Sequence, residues 1–380
     1  MYLFKEMPAW GPLATFIPNK CLPVYNWLYY KEGFARDLVF KMLEKFHVEK
    51  GSMVLDPFCG SGTTLLACRE KSIDSIGFDT HPVALFAATV KTRSYEKEVL
   101  RKALDGMMSR GFRKPQMPGL SPLVRRAFNT HTLDDVIFFR NEIMSLEDSE
   151  IRDFFMLGLM NVAMKCSYAW KDGAVIKIRK HPVPPLRKLL KRQLIRMIKD
   201  AGKVQKSECK TLVQAGDARR MNIPEDSIDA VITSPPYLNK IEYANIYTIE
   251  EELFFEKRDV AYLRSFIGVR DEKIMDEQKK LDPFIDTSNL PVAAIAYFSD
   301  MLEVIKELHR VCREGARLAV VVGNGCFPEG VVDSDVVLSQ MAEKLGFRAN
   351  EIIVLNKRWC TRNRVEKVGM TRESLLVWEK

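Results

Sequence analysis

The segment Asp56-Pro57-Phe58-Cys59-Gly60-Ser61-Gly62-Thr63-Thr64 decides the fold of this chain. It follows an apolar run, SMVLD at residues 52–56, that predicts a short buried strand, and it opens onto the predicted start of a helix at Leu65. Glycines let a backbone approach a ligand closely, and a helix N-terminus presents free N–H groups. Ligands of open α/β sheets bind outside the carboxyl ends of the strands. The segment therefore predicts a ligand site at a strand end.

Asp79 ends the next predicted strand, IDSIGFD at residues 73–79. An acid about 20 residues beyond the glycine loop suits a ribose, because its carboxylate accepts hydrogen bonds from both hydroxyls. The loop is not Gly-x-Gly-x-x-Gly, and no lysine follows it as in a phosphate-binding P-loop. A nucleoside without phosphates fits better, which makes S-adenosylmethionine the candidate cofactor. The alternative is a glycine-rich turn with a structural role only.

Two later strands also end in polar turns. Gly216-Asp217-Ala218 follows TLVQA, and the Asp217 carboxylate can accept from the exocyclic amine of an adenine. Thr233-Ser234-Pro235-Pro236-Tyr237 follows IDAVI. Its two prolines fix the backbone and remove two N–H donors, which leaves the Ser234 hydroxyl and the carbonyls of Ser234 and Pro235 as acceptors for an NH₂ group. Tyr237 offers a flat face on which a base can stack.

D-P-F-C-G-S-G-T-T together with T-S-P-P-Y resembles the S-adenosylmethionine-dependent amino-methyltransferases of nucleic acids. S-P-P-Y most resembles the N4-cytosine branch, since adenine-N6 and guanine-N2 members more often carry an acidic residue or Asn before P-P-Y. The resemblance covers residues 34–92, 210–237 and 297–380. It implies the class I (Rossmann-like) methyltransferase fold, an α/β fold with a seven-stranded, mostly parallel sheet and an antiparallel last hairpin.

The resemblance also implies roles for residues by position. The cofactor would be held by Phe34, Asp56, Pro57, Phe58, Gly60, Ser61, Gly62, Thr63, Asp79, Thr80, Asp217 and Ala218. The catalytic turn would be Ser234, Pro235, Pro236 and Tyr237. Methyl transfer would be direct and in line. A carbon-5 methyltransferase would want a nucleophilic Cys at this turn, and none of the eight cysteines lies there.

The predicted domain organisation has three parts. Residues 1–33 form an irregular arm that completes the cofactor pocket, residues 34–92 and 209–380 form the catalytic domain, and residues 93–208 form a helical, basic insertion for substrate binding. Helices are predicted at 34–47, after Pro82 and at 297–312, and further strands at 316–324, 351–359 and 373–379. Residues 238–290 are predicted to be polar and irregular.

The net charge of +8 permits a polyanionic partner without demanding one. Two basic stretches, 177–192 and the predicted loop 357–364, are candidate nucleic-acid contacts, and solvated faces are the alternative reading. The candidate residues are Arg179, Lys180, Arg187, Lys188, Arg358, Trp359 and Arg362. Tyr168 and Trp170 beside the first stretch are read either as stacking residues or as core.

Composition argues against a membrane protein, a secreted disulfide-rich protein and a metalloprotein. No apolar run approaches the ~20 residues of a membrane span, and no signal peptide is visible, so a cytoplasmic protein is expected. The cysteines form no C-x-x-C pair and suit neither a zinc ribbon nor a disulfide framework, so most are expected to be buried apolar residues. The five histidines lack metal-ligand spacing, and no metal is predicted.

The predicted substrate is the N4 amine of cytosine in a structured RNA, with ribosomal RNA as the first candidate. In many N4-cytosine DNA enzymes the S-P-P-Y segment precedes the glycine loop, whereas here it follows the loop. In addition, the long insertion precedes the third strand, whereas DNA enzymes of this motif order usually carry a recognition domain after that strand. The alternative is a DNA N4-cytosine methyltransferase of a modification system. A cofactor-binding or RNA-chaperoning protein without catalysis is the third hypothesis. The oligomeric state stays open.

Overall fold

The computed structural model describes residues 2–172, 175–202, 208–238, 246–255, 274–362 and 365–380. The strands are β1 (Phe4–Glu6), β2 (Met53–Asp56), β3 (Asp74–Asp79), β4 (Ala169–Asp172), β5 (Val175–Ile178), β6 (Thr211–Ala215), β7 (Ile228–Thr233), β8 (Cys312–Gly323), β9 (Gly325–Phe327), β10 (Gly330–Val332), β11 (Arg348–Arg362) and β12 (Glu366–Glu379).

Six helices lie between β3 and β6, whereas β7 follows β6 and β12 follows β11 without an intervening helix in the described residues. The helices are α1 (Arg36–Lys45), α2 (Thr63–Glu70), α3 (Pro82–Thr92), α4 (Lys97–Ser109), α5 (Pro122–Ala127), α6 (Thr130–Met144), α7 (Ser149–Lys165), α8 (Leu186–Ala201), α9 (Thr248–Phe254), α10 (Ile274–Leu281), α11 (Val292–Val311) and α12 (Ser334–Lys344). Three short 3₁₀ helices, Pro8–Ala14, Ile17–Cys21 and Tyr25–Trp27, lie in the arm.

The central sheet has the order β1-β11-β12-β8-β7-β2-β3-β6. Strands β6, β3, β2, β7 and β8 are parallel, and β12 is antiparallel to both β8 and β11. The predicted class I methyltransferase fold is thereby confirmed, but the sheet has eight strands rather than seven. The additional strand is β1, which runs parallel to β11 and pairs Phe4 with Ile352. It covers backbone groups at an edge that would otherwise be open.

The core lies on both faces of the sheet, as expected for parallel strands between helices. Along β8, Leu318 and Val320 face the cluster formed with α11 and α12, whereas Ala319 and Val321 face the cluster formed with α1. Side chains of a strand point alternately to its two faces, so a run that is apolar at every position is buried twice. This explains why LAVVV reads as one continuous apolar run.

The predicted insertion, residues 93–208, contains helices α4 to α8, and it also contains a β4–β5 hairpin that the helical prediction missed. Its apolar core is shared with the arm. The Trp27 indole Nε1–H donates to Asp200 on α8 at 3.4 Å, and Asn161 on α7 donates to the Trp27 carbonyl at 2.8 Å. The arm therefore packs against the predicted insertion as well as against the sheet.

Three predicted boundaries are wrong. Residues 238–290 are not wholly irregular, because α9 and α10 lie there; 239–245 and 256–273 fall outside the described residues. Helix α11 begins at Val292 rather than at residue 297. The predicted basic loop 357–364 is mostly strand, since β11 continues to Arg362 and β12 begins at Glu366. Long antiparallel pairing satisfies the backbone groups of this polar stretch, which a search for apolar runs cannot detect.

The expectation of unpaired cysteines needs one correction. Cys326 on β9 and Cys360 on β11 form a disulfide, because the β9–β10 hairpin packs beside the extended end of β11. Cys59, Cys68, Cys166 and Cys312 are buried, as predicted for most of the cysteines. Within the described ranges, no helix combines the length and the apolar character needed to cross a membrane.

Candidate active site

The carboxyl ends of β2, β3, β6 and β7 open onto one cavity of about 320 Å³. The arm closes it from the other side, and the end of the β11–β12 pair adds a third wall. The lining residues are 14–17, 29–34, 56–61, Thr63, 79–81, 216–218, 234–237, Arg358 and Glu373. All the predicted cofactor and catalytic residues line this cavity except Gly62, which packs against Ala88 of α3. Their individual roles stay predictions.

The glycine loop has the shape that its sequence demands. Gly60 and Gly62 have φ of +50° and +83°, a region that favours glycine. A Cβ on Gly62 would lie 3.0 Å from the Cβ of Ala88 on α3, and a Cβ on Gly60 would lie 3.0 Å from the Tyr30 ring. The loop is thus held between α3 and the arm, with no room for a side chain at Gly60 or Gly62, and the Gly60 backbone lines the cavity.

Asp56 ties the two principal strand ends together. Its buried carboxylate accepts a hydrogen bond from the Thr233 hydroxyl at 2.7 Å and one from the Phe58 N–H at 3.2 Å. Burial raises the pKa of this carboxyl to about 6, and the hydroxyls of Thr233 and Thr64 oppose the rise. The contact joins the glycine loop after β2 to the proline turn after β7.

Asp79 is fixed by backbone donors. One carboxylate oxygen accepts from the Gly60 N–H at 2.9 Å and the other from the His81 N–H at 2.8 Å. Burial raises the pKa of the carboxyl, and the N–H groups of His81, Gly60 and Thr80 oppose the rise. Each carboxylate oxygen has a second lone pair, so the arrangement fits two further hydroxyl donors such as those of a ribose.

Asp217 lies at the cavity but is already engaged. Its carboxylate accepts from the Arg219 Nε at 2.9 and 3.0 Å and from the Arg219 N–H at 2.9 Å. The same guanidinium donates to the fully buried Asp300 at 2.7 Å, and these two carboxylates raise the pKa of Arg219 against the opposing effect of burial. Most acceptor positions of Asp217 are therefore occupied, which the sequence reading of a free carboxylate did not foresee.

The Ser234–Tyr237 turn lines the cavity next to the glycine loop, because β7 pairs with β2. The Tyr237 hydroxyl donates to the Glu373 carboxylate at 3.0 Å. The Tyr237 ring packs on Gly323 of β8, where an added Cβ would lie only 2.6 Å from the ring. Gly323 and Glu373 were missed by the sequence reasoning, because neither lies in a motif and only the sheet brings them to the turn.

A second group that was missed connects the arm to the β4–β5 hairpin. Tyr30 stacks on Tyr247 with ring centroids 5.4 Å apart, and the Tyr247 hydroxyl donates to Glu32 at 2.8 Å. The Lys171 ammonium of β4 lies 3.3 Å from the Tyr247 ring centroid and donates to Glu250 at 2.7 Å. Burial lowers the pKa of Lys171, and Glu250 opposes this. The hairpin is thus anchored beside the cavity wall.

The predicted nucleic-acid-binding residues of the first basic stretch differ in their exposure. Arg179, Lys180 and Lys188 are exposed. Arg187 is half-buried, and its guanidinium donates to the carbonyls of Met108 and Arg110 at 2.8 and 2.9 Å, next to the end of α4. A cation at a helix C-terminus stabilises that end, so Arg187 has a structural partner.

The predicted residues of the second basic stretch also differ in their surroundings. Arg358 lines the cavity, whereas the Arg362 guanidinium donates to the Pro328 carbonyl. Trp359 is 54% exposed, with the Lys367 ammonium 4.5 Å from its ring centroid. Trp170 on β4 is 52% exposed and is not a core residue. Tyr168 is half-buried and makes an edge contact with the His181 ring at 5.9 Å.

Comparisons with known proteins support the same class. Residues 25–89, which include the glycine loop and Asp79, match the family described as DNA methylase. The chain is 25% identical to the Type II methyltransferase M.BsoBI of Geobacillus stearothermophilus, over 97% of this chain and 88% of the relative. It is 24% identical to M.AvaI of Nostoc sp. strain PCC 7120, over 90% of this chain and 83% of that relative.

A third relative matches more strongly over a shorter part. The Type II methyltransferase M.MjaII of Methanocaldococcus jannaschii is 41% identical over 81 residues, 21% of this chain and 15% of that relative. Among solved structures, an S-adenosylmethionine-dependent methyltransferase from Methanosarcina mazei is 10% identical with a TM-score of 0.33, over 89% of this chain and 96% of that one. The fold class is assigned from the strand order of the central sheet and not from this structural match.

Together, the strand order, the motifs and the matched sequences define an S-adenosylmethionine-dependent methyltransferase. The predicted resemblance to the amino-methyltransferases of nucleic acids is confirmed. The chain is therefore a nucleic-acid methyltransferase with S-adenosylmethionine as its cofactor.

Proposed function

We propose that this protein methylates DNA at the exocyclic N4 amine of cytosine, as part of a modification system. The observation that carries the proposal is the placement of the Ser234–Tyr237 turn on the same cavity as the glycine loop and Asp79. Acceptors for an amine and a cradle for a nucleoside cofactor therefore share one enclosed space. The Thr233–Asp56 hydrogen bond of 2.7 Å fixes the two parts to each other.

The chain's own residues supply the binding of the cofactor. The glycine-loop backbone accommodates the methionine end, because side chains are excluded there by Tyr30 and Ala88. Asp79 accepts hydrogen bonds from the ribose hydroxyls, and Ala218 beside Asp217 packs at the adenine end. When bound, S-adenosylmethionine supplies an electrophilic methyl group on a sulfonium.

The turn after β7 orients the amine. Cytosine N4 is a weak nucleophile because its lone pair is delocalised into the ring. Hydrogen bonds from the amine to the Ser234 hydroxyl and the Pro235 carbonyl favour a pyramidal nitrogen with a localised lone pair. Pro235 and Pro236 keep these acceptors rigid, and Tyr237 stacks on the base. Much of the rate comes from holding two reactants in near-attack geometry. The base enters unstacked, either from single-stranded nucleic acid or by flipping.

DNA is preferred over RNA as the substrate. The matched family is described as DNA methylase, and the relatives that align over most of this chain are Type II methyltransferases. These matches give no support to the RNA substrate that the motif order favoured; they support the DNA alternative. Cytosine is preferred over adenine because Ser, rather than an acidic residue or Asn, precedes Pro-Pro-Tyr.

The outer face of the β4–β5 hairpin is the surface that we assign to the DNA backbone. Trp170 pairs with Lys177 across this face, and both side chains are exposed. Arg179 and Lys180 follow directly and are exposed as well. The Lys177 ammonium donates to Asp172 on the same face at 2.5 Å. Arg179 and Lys180 therefore supply the cations for phosphates, and Trp170 supplies an aromatic face. The inner face holds Lys171 against Tyr247, beside the cavity wall.

The test is transfer of a tritiated methyl group to genomic DNA and to total RNA, followed by nucleoside analysis. We expect label in DNA as N4-methyldeoxycytidine. Label in RNA alone would contradict the DNA assignment, and label in adenine or guanine would contradict the cytosine assignment. Ser234→Ala serves as the active-site control.

A further inference from the structure

The Tyr237 ring is held from two sides by residues that no motif contains. Gly323 at the end of β8 provides a floor without a side chain, since a Cβ there would lie 2.6 Å from Tyr237 Cδ2 and 2.9 Å from Cε2. Glu373 on β12 accepts a hydrogen bond from the Tyr237 hydroxyl at 3.0 Å. Both Tyr237 and Glu373 line the cavity.

The sheet register explains why these residues meet. Glu373 pairs directly with Gly323 across β12 and β8, and with Asn356 across β12 and β11. The absent side chain at Gly323 leaves a gap beside Glu373, and the Tyr237 ring fills it. The ring is thereby fixed at both its face and its hydroxyl end.

We propose that Glu373 is a positioning residue that sets the orientation of the Tyr237 ring for stacking on the target base. Pro235 and Pro236 fix the backbone of the turn, but they leave the side-chain torsions of Tyr237 free. A hydrogen bond to a carboxylate is stronger than one between neutral groups, so Glu373 limits those torsions before the base arrives. A ring that is already ordered loses less entropy when it binds. The inference rests on the proposed function, because it assumes that a base occupies this part of the cavity.

A purely structural role for Glu373 is the competing explanation. Strand β12 is already held by ladders on both sides, and its next residues, Ser374 to Trp378, are buried. Arg372 before it is paired with Asp335 at 2.8 Å. The strand thus has extensive support apart from the Glu373 side chain, whose hydrogen bond is directed into the cavity.

The test compares Glu373→Ala, Glu373→Gln, Tyr237→Phe and the double variant Glu373→Ala/Tyr237→Phe. Glu379→Gln, an acid at the far end of the same strand, is the matched control. We expect Glu373→Ala to lower kcat/KM for the nucleic acid about tenfold, the effect of one hydrogen bond to a charged group. The Kd for S-adenosylmethionine and the Tm should stay near the wild-type values. Glu373→Gln keeps an acceptor oxygen and should remain within about threefold of the wild type.

The double variant separates positioning from structure. If Glu373 acts through the Tyr237 hydroxyl, the double variant should be no less active than Tyr237→Phe alone. Additive losses, unchanged kcat/KM in Glu373→Ala, or equal losses in Glu373→Gln and Glu373→Ala would overturn the inference. Should Glu373→Ala fold poorly, Glu373→Gln and Tyr237→Phe give the same contrast.

Identifying the nucleoside that the wild-type enzyme methylates tests the proposed function independently of Glu373. Methyl transfer to RNA instead of DNA would contradict the proposed function, and the same variant ratios, measured on that RNA, would still decide the role of Glu373. Methylated cytosine in DNA with a fully active Glu373→Ala would support the proposed function and overturn the inference.

Discussion

The cavity has two halves that are assembled from different parts of the chain. Most of the cofactor half, the glycine loop at residues 56–63 and Asp79, lies within a short stretch of sequence, and Asp217 and Ala218 join it from the end of β6. The target-base half consists of residues 234–237, Arg358 and Glu373, with Gly323 beneath the Tyr237 ring, and four strands, β7, β8, β11 and β12, bring these residues together. Backbone groups dominate the first half and side chains from separate strands dominate the second. The first half is therefore readable as a motif, whereas the second depends on the register of the sheet.

The largest expected effect concerns the cofactor half. Asp79→Ala removes both acceptor oxygens that face the predicted ribose, and it also frees the N–H groups of Gly60 and His81. We expect the Kd for S-adenosylmethionine to rise about 100-fold or more, the effect of losing two hydrogen bonds to a charged group. Calorimetry measures this directly.

Asp79→Asn is the matched control for that prediction. It keeps one acceptor oxygen and the shape of the side chain, so it should weaken cofactor binding less than Asp79→Ala. Equal affinities in the wild type and in Asp79→Ala would remove the ribose assignment from this carboxylate.

The target-base half should respond in the opposite way. Ser234→Ala deletes one amine acceptor while the backbone carbonyls and both prolines stay in place. We expect kcat to fall about tenfold or more, as expected for one lost hydrogen bond in the transition state, with the Kd for S-adenosylmethionine nearly unchanged. Single-turnover methyl transfer gives the rate and calorimetry the affinity. A wild-type kcat in Ser234→Ala, or a defect confined to cofactor affinity, would contradict the assignment of Ser234 to the target-base half.

The difference between the halves also explains what the sequence could predict. The glycine loop, Asp79 and the proline turn were recognisable because each pairs a local pattern with a strand end, and the seven-stranded sheet was implied by the resemblance that these motifs carry. The engagement of Asp217 by Arg219, the Tyr237–Glu373 contact and the Cys326–Cys360 disulfide were not, because they depend on side-chain directions or on partners far away in the chain. Strand β1 and the β4–β5 hairpin were missed because their three or four residues mix polar and apolar types and are not fully buried, unlike the apolar run of β2.

A smaller effect is expected outside the cavity, on the surface assigned to DNA. Arg179→Ala/Lys180→Ala removes two exposed cations beside the β4–β5 hairpin. We expect DNA affinity to fall several-fold at low salt and the slope of log Kobs against log[salt] to decrease by about 0.9 for each lost phosphate contact. Lys50→Ala is the control. Lys50 is an exposed lysine just before β2, at the amino ends of the parallel strands and hence on the side away from the cavity, and its removal should leave both quantities unchanged. Equal behaviour of the two variants would count against the hairpin surface.

The smallest effect on activity is expected at the support beneath the glycine loop, where the main change is in stability. Lys91 on α3 is buried, its ammonium donates to the Ser61 carbonyl at 3.3 Å, and burial lowers the pKa of the ammonium to about 7. Between pH 7 and about 10, the folded chain therefore carries a neutral Lys91 while the unfolded chain carries a charged one. Unfolding takes up a proton in this window, so the free energy of unfolding rises with pH by up to about 1.4 kcal/mol per unit from this group.

Lys91→Met should remove that contribution, whereas Lys102→Met, an exposed lysine on α4, should leave the pH dependence as it is. Denaturant unfolding of the three proteins at pH 7, 8 and 9 measures the difference in slope. Because the ammonium contacts the loop carbonyl, Lys91→Met should also show whether the cofactor half depends on the Lys91–Ser61 contact or on the Gly62–Ala88 packing alone. Identical slopes in Lys91→Met and the wild type would mean that Lys91 stays charged in the folded protein, and an unchanged Kd for S-adenosylmethionine would assign the shape of the loop to its glycines.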